Sequence, residues 1–303
     1  MHKEFLNVSE QVELLVHRGL TCDERSGKIL MREGYYAVVN GYGKYFLDRN
    51  GTQEAHEDRY LPNAHFQDIY ELFLFDRSLR MLTFKVLSQV EGMLRSLVSS
   101  AFLEAHDGPD DYLDPQCYTQ PQHYLLGERN FERNLRQTIN TLSRYANDHE
   151  DDERGRDDVR LAHYRENYDS VPLWVVFSDF SFGNLFHFLA LMRRDEQEAV
   201  CQKLASALEQ PDHTTKVPSR RALVNDVDLQ VDVRNLCAHG ERLFDARVGY
   251  RGAQSYADFV AMLDRYLTQE DAHDFACALR TLVEDAQGRP AVQDVIAQTR
   301  ILA

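Results

Sequence analysis

The chain has 303 residues, of which 49 are acidic and 34 are basic, and its net charge is −15. This charge argues against broad, unselective binding of nucleic acid, because such binding needs cations spread over the surface to neutralise phosphates. It does not exclude a confined basic pocket, since the charge of the whole chain says little about one cleft. The length suffices for one large domain or two modest ones.

The five cysteines are dispersed along the chain and form no C-x-x-C pair. An odd, scattered set is typical of a reducing cytosol and predicts no zinc site. The histidines are also scattered, without metal-ligand spacing. No positively charged start precedes an apolar run, and no stretch approaches the length of a membrane span. We therefore expect a cytoplasmic protein without a membrane partner, a metal or another cofactor.

Residues 1–60 are predicted to form a small N-terminal helical module, followed by a larger helical domain over residues 61–303. Ser9 is a suitable cap for a first helix, and a second helix is expected over residues 23–33. The glycine- and tyrosine-rich stretch that follows lacks the third glycine of a dinucleotide-binding fingerprint. Its tyrosines are expected to pack around a tight turn. With nearby lysine and arginine they could instead form a stacking surface for single-stranded RNA.

The strongest helical pattern covers residues 66–106, where apolar side chains recur every three or four positions. Asp76 is expected to separate a short first helix from a long second one. Glu91 and Arg95 lie four positions apart and can pair on one helix face. The simplest interpretation of that pair is an exposed salt bridge of little energetic value. A long apolar stripe of this kind also suits a dimer interface between two helices.

The middle of the chain alternates predicted helices with polar loops. Prolines mark residues 112–122 as a loop, and a helix is expected over residues 128–146. Residues 147–158 carry seven acids and two arginines without an apolar anchor, so we predict a solvated or partly disordered loop. Metal binding by these acids is less favoured, because their spacing matches no calcium loop.

The most apolar segment spans residues 171–192 and is predicted to form two consecutive helices. Pro172 suits the first turn of one helix, and Ser181 can cap the other. His187 is expected to be a packed core histidine. Strand signals are weak throughout the chain, so the fold is predicted to be all-α. Further helices are expected over residues 195–208, 256–267, 272–286 and 291–299.

Polar side chains that suit RNA chemistry gather near the end of a predicted helix over residues 219–238. Arg234 and His239 lie five positions apart, and Asn235 shares a helix face with His239. The long stem of Arg234 could bring its guanidinium to the same pocket. Gly240 follows directly and is a common signal for the end of a helix.

These residue types suggest a specific reaction. Arginine offers planar donors for phosphate oxygens, histidine exchanges protons near neutral pH, and asparagine can orient either one. Such a group suits cleavage of RNA without metal, in which the ribose 2′-hydroxyl attacks its own phosphodiester and a cation stabilises the growing charge. The structural alternative is that Arg234 pairs with a core carboxylate and His239 caps the helix. Spacing alone favours this alternative, because an R-x4-H match is frequent by chance.

A basic cluster precedes the motif helix and consists of Lys216, Arg220 and Arg221. These side chains are candidates to hold RNA phosphates near His239. The alternative is that they are exposed cations on an acidic protein. Arg242, just beyond the motif, is a further candidate to bind RNA.

The wider string RNLCAHGERLF resembles the R-N-x-C-A-H-x-x-R-L signature of the Abi-like proteins, the abortive-infection family of the HEPN superfamily of helical ribonucleases. Further stretches are similar to the family in the same order: the leading QVELLVHRGL and EGYYAVVNGYGKYF, the central FDRSLRMLTFKVLSQVEGMLRS and the later VPLWVVFSDFSFGNL. Asp245 departs from the pattern, in which Asn is more usual, and this calls into question a hydrogen-bonding role at that position.

The resemblance implies a HEPN-like helical bundle in which Arg234 and His239 are the catalytic pair and Asn235 is their polar neighbour. It implies that Glu91 and Arg95, which match an E-x3-R-S pattern, lie beside this pair in the RNA-binding site. HEPN nucleases usually build a composite site from two copies of the motif. One matching copy in this chain therefore implies a homodimer in which two motif helices face each other.

Several hydrolase classes are excluded, because the chain has no G-x-S-x-G elbow, no Walker loop and no H-E-x-x-H helix. The favoured function is a metal-independent endoribonuclease that acts as a toxin or antiphage effector and leaves a 2′,3′-cyclic phosphate and a 5′-hydroxyl. A second hypothesis is an RNA-binding protein that holds a structured noncoding RNA without cutting it. A third is a purely structural helical dimer held together by the motif.

Overall fold

The fold is almost entirely helical in the part of the chain that the computed structural model describes, which confirms the predicted all-α class. No helix in that part is long and apolar enough to cross a membrane. The predicted acidic loop beyond Asn147, and the candidate Lys216, lie outside the described residues. The described residues are 5–147, 159–208, 218–286, 288 and 290–299.

The described residues form thirteen α-helices joined by short helical turns. Two strands, Arg247–Val248 (β1) and Gln254–Ser255 (β2), form one antiparallel pair in which Arg247 lies opposite Ser255. The division into a small N-terminal module and a larger domain stays a prediction. The helices are α1 (Val8–His17), α2 (Ser26–Glu33), α3 (Arg49–Ala55), α4 (Phe66–Leu103), α5 (Glu128–Asn147), α6 (Val159–Asn167), α7 (Leu173–Asp179), α8 (Phe182–Leu191), α9 (Arg194–Ala207), α10 (Arg220–His239), α11 (Tyr256–Leu263), α12 (Gln269–Ala286) and α13 (Pro290–Thr299).

The long helix α4 is the centre of the fold. Its 38 residues span about 57 Å at 1.5 Å per residue, and α7, α9, α10, α12 and α13 pack against it. The predicted apolar positions from Leu79 to Ala101 are buried or half-buried. Helices of the same chain cover most of this stripe, and a dimer interface on α4 stays a prediction.

Asp76 does not separate two helices, as the sequence suggested, because α4 continues through it without a break. Its carboxylate is fully buried inside the protein and accepts hydrogen bonds from several donors. Arg80 Nη1 and the Tyr42 hydroxyl each donate at 2.6 Å. The backbone N–H groups of Leu243 and Phe244 donate at 3.1 and 2.8 Å. A buried carboxylate is tolerated when its oxygens are bonded in this way.

The Tyr42 hydroxyl stays protonated and so remains a hydrogen-bond donor to Asp76. Burial and then the neighbouring Asp76 carboxylate raise the pKa of Tyr42 far above its ordinary value, so the phenol keeps its proton at any physiological pH. Arg80 Nη1 also donates to the Glu241 carbonyl at 3.3 Å. The network therefore joins α4, the N-terminal region and the segment that follows α10.

Two helix starts in the N-terminal region differ from prediction. Helix α1 is capped by Asn7 instead of Ser9, and the Asn7 side chain accepts a hydrogen bond from the backbone in the first turn. Helix α2 begins at Ser26 instead of residue 23. The Asp23 side chain accepts hydrogen bonds from the backbone N–H groups that follow it and so holds a turn.

The tyrosine-rich stretch after α2 packs as predicted at two positions. The Tyr42 ring stacks against Phe244 with centroids 6.3 Å apart, and the Tyr45 ring lies 5.2 Å from Phe244. Tyr36 is an exception, because 81% of it is exposed. The packed tyrosines place the N-terminal region beside the end of α10.

The apolar segment forms the two predicted helices, α7 and α8. Pro172 directly precedes α7, and the Ser181 side chain accepts a hydrogen bond from the Asn184 backbone at 3.2 Å at the start of α8. His187 is half-buried on the side of α8 that packs against α5. Burial lowers its pKa, so its imidazole is neutral at pH 7, as expected for a packed histidine.

We expect the Asp76→Ala variant to lose about 3 to 5 kcal/mol of unfolding free energy, because it leaves Arg80 buried without its carboxylate. Denaturant unfolding followed by circular dichroism measures this change. Glu198→Ala is the control, since it removes a carboxylate from an exposed pair with Arg194 and should leave stability nearly unchanged. An equal, small effect of both substitutions would contradict the central role of Asp76.

Candidate functional site

Helix α10 carries the motif residues and ends where the sequence predicted. Ser219 caps its start by accepting a hydrogen bond from the Ala222 backbone. At its end Gly240 has a left-handed backbone, with φ of 68°. The N–H of Gly240 donates to Cys237 and that of Glu241 to the Leu236 carbonyl, the pattern of a Schellman cap. The helix therefore stops directly after His239 because glycine accepts this conformation without strain.

Arg234 is held in place by two neighbours. Its Nε lies 3.4 Å from Glu91 Oε2, and its Nη1 donates to Asn235 Oδ1 at 3.0 Å. The side chain remains 22% exposed. Its Nη2 donates to no acceptor among the described residues. The guanidinium is thus fixed on one edge and open to a ligand on the other.

Glu91 and Arg95 support this arrangement from α4. Arg95 pairs with Glu91, and its guanidinium also donates to the carbonyl oxygens of Phe180 at 2.6 Å and Ser178 at 3.4 Å. The prediction that Glu91 lies beside Arg234 is confirmed. Because Glu91 is buried and Arg95 is bonded to backbone carbonyl groups, these contacts position Arg234. Direct contact of either residue with RNA stays a prediction.

His239 is exposed at the end of α10 and makes no hydrogen bond with any described residue. Gly240, and not the imidazole, satisfies the last carbonyl groups of the helix. On an α-helix His239 stands about 40° from Asn235 and about 140° from Arg234, with about 7.5 Å of axial rise between His239 and Arg234. Arg234 and His239 of one chain therefore share a helix end but face different directions.

The geometry agrees with only half of the structural alternative for Arg234 and His239. The structural alternative predicted the pairing of Arg234 with a core carboxylate, and Glu91 provides it. It also predicted that His239 caps the helix, and its side chain does not. The fold thus gives Arg234 an ion pair, whereas His239 makes no hydrogen bond with a described residue.

Asp245 has a clear hydrogen-bonding role, contrary to the concern raised by its departure from the family pattern. It accepts from the Tyr45 hydroxyl and pairs with Arg242 Nε at 2.5 Å and Lys44 Nζ at 3.3 Å. Burial acts to raise the pKa of Asp245, but the hydrogen bonds from Tyr45 and Arg242 outweigh it and lower the pKa. Arg242 also donates to the Gly41 carbonyl at 2.7 Å, so it is partly engaged inside the protein. Contact of Arg242 with RNA stays a prediction.

Cys237 lies within the motif but is unsuited to be a nucleophile. Burial raises the pKa of Cys237 to about 12, so the thiol stays protonated at neutral pH. A thiol attacks as its thiolate. The polar side chains of the motif remain the candidates for chemistry.

The basic residues Arg220 and Arg221 lie at the opposite end of α10 from His239. Nineteen residues separate Arg220 from His239 in one helix, a distance of about 28 Å along its axis. The prediction that Arg220 and Arg221 hold phosphates near His239 is therefore wrong within one chain. Residues at the two ends of one long helix are close in sequence but far apart in space.

The surroundings of the motif form an open surface. Cavities in the described structure include three of appreciable size, and Arg234, Asn235 and His239 line none of these three. Exposed apolar side chains lie on the same stretch of α4 that contacts α10 and the segment after it. Met81 is 70% exposed and Phe84 is 41% exposed. They lie between Arg80, which contacts the Glu241 carbonyl, and Glu91, which contacts Arg234.

One group of side chains in the described residues has the composition of a metal site. His106, Asp111 and Cys117 offer ligand atoms that lie within 4.8 Å of one another. His106 Nε2 already lies 2.8 Å from Glu196 Oε1, and the Glu196 carboxyl is buried. His106 follows the end of α4, more than ten positions after Glu91 in the sequence. These three residues are not part of the motif site. The predicted absence of a metal stays a prediction.

Sequence reasoning missed the Asp76 network that fixes the segment directly after the motif. A signal was present, because Asp76 and Arg80 stand four apart on an otherwise apolar helix. Two charges at this spacing, within a stripe that must be buried, indicate a buried pair. The remote donors Leu243 and Phe244 could not be identified from that spacing.

The sequence model of the Abi-like proteins matches residues 28–245. This range contains α4, the two helices of the apolar segment and the whole of α10, and it ends at Asp245. Neither a curated protein nor a solved structure matches the chain. Because the match covers more than two thirds of the 303 residues and includes the motif, the chain belongs to the Abi-like protein family.

Proposed function

We propose that this protein is a metal-independent endoribonuclease of the HEPN type, with its site at the end of α10. The observation that carries the proposal is His239, an exposed imidazole without a structural partner among the described residues. It follows Arg234 on a helix whose position is fixed by buried contacts. An exposed histidine that the fold does not use is suited to proton transfer.

The chemistry assigns one role to each residue. His239 acts as general acid or base in the attack of the ribose 2′-hydroxyl on the adjacent phosphodiester. The open edge of the Arg234 guanidinium stabilises the charge that grows on the phosphorane oxygens. Asn235 orients Arg234 through the hydrogen bond to Nη1. The products are a 2′,3′-cyclic phosphate and a 5′-hydroxyl, and the reaction needs no metal.

Two copies of the chain complete the site in this proposal. One copy presents Arg234 and His239 on an open surface, in different directions, and an open surface does not exclude water from a reaction. A second α10 would bring the partner's His239 opposite this Arg234. The exposed Met81 and Phe84 on α4 supply apolar area for such an interface.

The proposed activity is compatible with a role in defence against phage. Membership of the Abi-like family suggests a role in abortive infection, that is, defence against phage. An endoribonuclease suits this role, because cleavage of RNA in an infected cell stops the synthesis of phage proteins.

The second candidate is an RNA-binding protein that holds a structured noncoding RNA without cutting it. The observation that favours it is the pairing of Arg234 with Glu91, which reduces the net positive charge available to a transition state. Under this function Arg234 and His239 contact RNA but do not catalyse. A discrete RNA that co-purifies with the protein and stays whole during incubation would favour this candidate over the nuclease.

We expect Arg234→Ala and His239→Ala each to lower the rate of RNA cleavage at least a hundredfold, because each removes one catalytic group. Cleavage of a mixed RNA pool by purified protein measures this rate, and circular dichroism checks the helical content. The controls are Arg280→Ala and His273→Ala, which change the same residue types at exposed positions on α12. Full-rate cleavage by both motif variants would overturn the assignment of the site.

Cleavage should continue in the presence of a chelator, because no step in the proposed reaction uses a metal. Mapping of the cut ends should find 2′,3′-cyclic phosphates on one product and 5′-hydroxyls on the other. Loss of activity with the chelator, followed by recovery on addition of a divalent cation, would exclude this mechanism.

We expect Met81→Glu to shift the protein from dimer to monomer and to reduce cleavage by at least tenfold, because it places a charge in an apolar interface. Light scattering after size-exclusion chromatography measures the mass. Met31→Glu is a matched control, since Met31 is 75% exposed, close to the 70% of Met81, and lies on α2. A wild-type monomer that cleaves RNA would disprove the composite site.

A further inference from the structure

A second polar site lies at the opposite end of α10 from the motif. A cavity of about 620 Å³ opens where α9 and α10 begin, facing the turn Pro121–His123. This volume is in the range of small-molecule sites. Its cationic wall is formed by four arginines, Arg193, Arg194, Arg220 and Arg221.

The charge of this cavity is opposite to that of the chain. The chain carries a net charge of −15, yet the residues that line this cavity include no aspartate or glutamate. Four guanidinium groups on one wall therefore produce a local positive potential. Because the rest of the surface is acidic and repels anions, an anion is attracted to this cavity in preference to other places. Arginines placed this close repel one another, and a bound anion would reduce that repulsion.

Arg220 and Arg221 make no ion pair with a carboxylate among the described residues. Arg220 donates to Gln197 Oε1 at 3.3 Å, a neutral partner. Arg193 donates to the Gln116 carbonyl at 2.8 Å and also interacts electrostatically with the Glu196 carboxyl. Arg221 is exposed and makes no ion pair with a described residue. Arg194 pairs with Glu198 at 2.8 Å, but this pair is largely exposed to solvent and can exchange partners at little cost.

The other walls of the cavity offer groups that recognise a base. Gln122 and His123 are exposed on the turn facing the arginines, and Gln120 precedes them. Glutamine amides form paired hydrogen bonds with base edges, and imidazole and guanidinium planes stack on bases. Arginine forks match phosphate oxygens. The cavity is larger than a lone phosphate needs and combines both kinds of group.

We propose that this cavity binds a nucleotide, with its phosphate on the four arginines and its base against Gln122 and His123. The nucleotide is either free or part of an RNA strand. The site lies about 28 Å along α10 from His239 of the same chain, so within one chain it is separate from the motif. The inference stands on the cavity alone and does not depend on the proposed nuclease activity.

The test is isothermal titration calorimetry of the full chain with AMP, adenosine and inorganic phosphate as separate probes. The cavity variant is Arg194→Glu with Arg221→Glu. Its control is Arg136→Glu with Arg280→Glu, two exposed arginines outside the cavity. Both double variants change the net charge by the same amount, so a difference between them reports on the cavity and not on the total charge. Circular dichroism checks that both fold.

We expect AMP affinity to fall at least about tenfold in the cavity variant, because charge-assisted hydrogen bonds are lost, and to change less than twofold in the control. Adenosine and phosphate should each bind at least about tenfold more weakly than AMP. Equal binding of AMP by the two double variants, together with equal binding of a 5′-phosphorylated RNA hexamer, would overturn the proposal. So would phosphate binding as tight as AMP binding, since the base would then contribute nothing.

A 5′-phosphorylated RNA hexamer distinguishes the two sources of the nucleotide. If AMP binds and responds to the cavity variant, the site takes a free nucleotide. If only the hexamer responds, it takes a strand. If neither responds, there is no nucleotide site here. The His239→Ala variant should bind AMP as the wild type does, so a failure of the nuclease proposal and a failure of this one give different results.

Discussion

The buried carboxylate of Asp76 is the constraint on which the rest of the site depends. It accepts hydrogen bonds from α4, from the N-terminal region and from the backbone just after the motif. A buried charge is tolerated only when its partners are all in place. The Asp76 network therefore fixes the end of α10 relative to α4, and loss of any one partner would weaken the whole network. The position of His239 depends on this network.

The Asp76 network is buried, whereas the surface around the motif is open to solvent. Arg234 is fixed by Glu91 and Asn235 on one edge, whereas His239 has no described partner. Buried hydrogen bonds thus hold the backbone after α10, and the imidazole is exposed to solvent. Preorganised backbone with available polar groups is the arrangement that catalysis of phosphoryl chemistry favours.

The two ends of α10 have different characters. One end presents the motif on an open surface, and the other presents four arginines in a cavity. The helix, about 28 Å long between Arg220 and His239, keeps these regions apart. A positively charged cavity on an acidic chain can attract a phosphate group to one place, while the acidic surface elsewhere repels it.

Apolar periodicity and capping residues determined the all-α class, the extent of α10 and the caps at Ser181 and Gly240, because these depend on neighbours within a few positions. Local pattern also placed Arg234, Asn235 and His239 at a helix end. Only the tertiary structure decided that Asp76 lies inside one unbroken helix, and that the Arg220 end of α10 lies far from the motif. The carboxylate of Asp76 is accommodated inside α4 by hydrogen bonds from residues more than 160 positions away. The two ends of α10 are far apart because a straight helix of that length separates them. Neither the distant donors nor the resulting separation can be read from residues that are close in the chain.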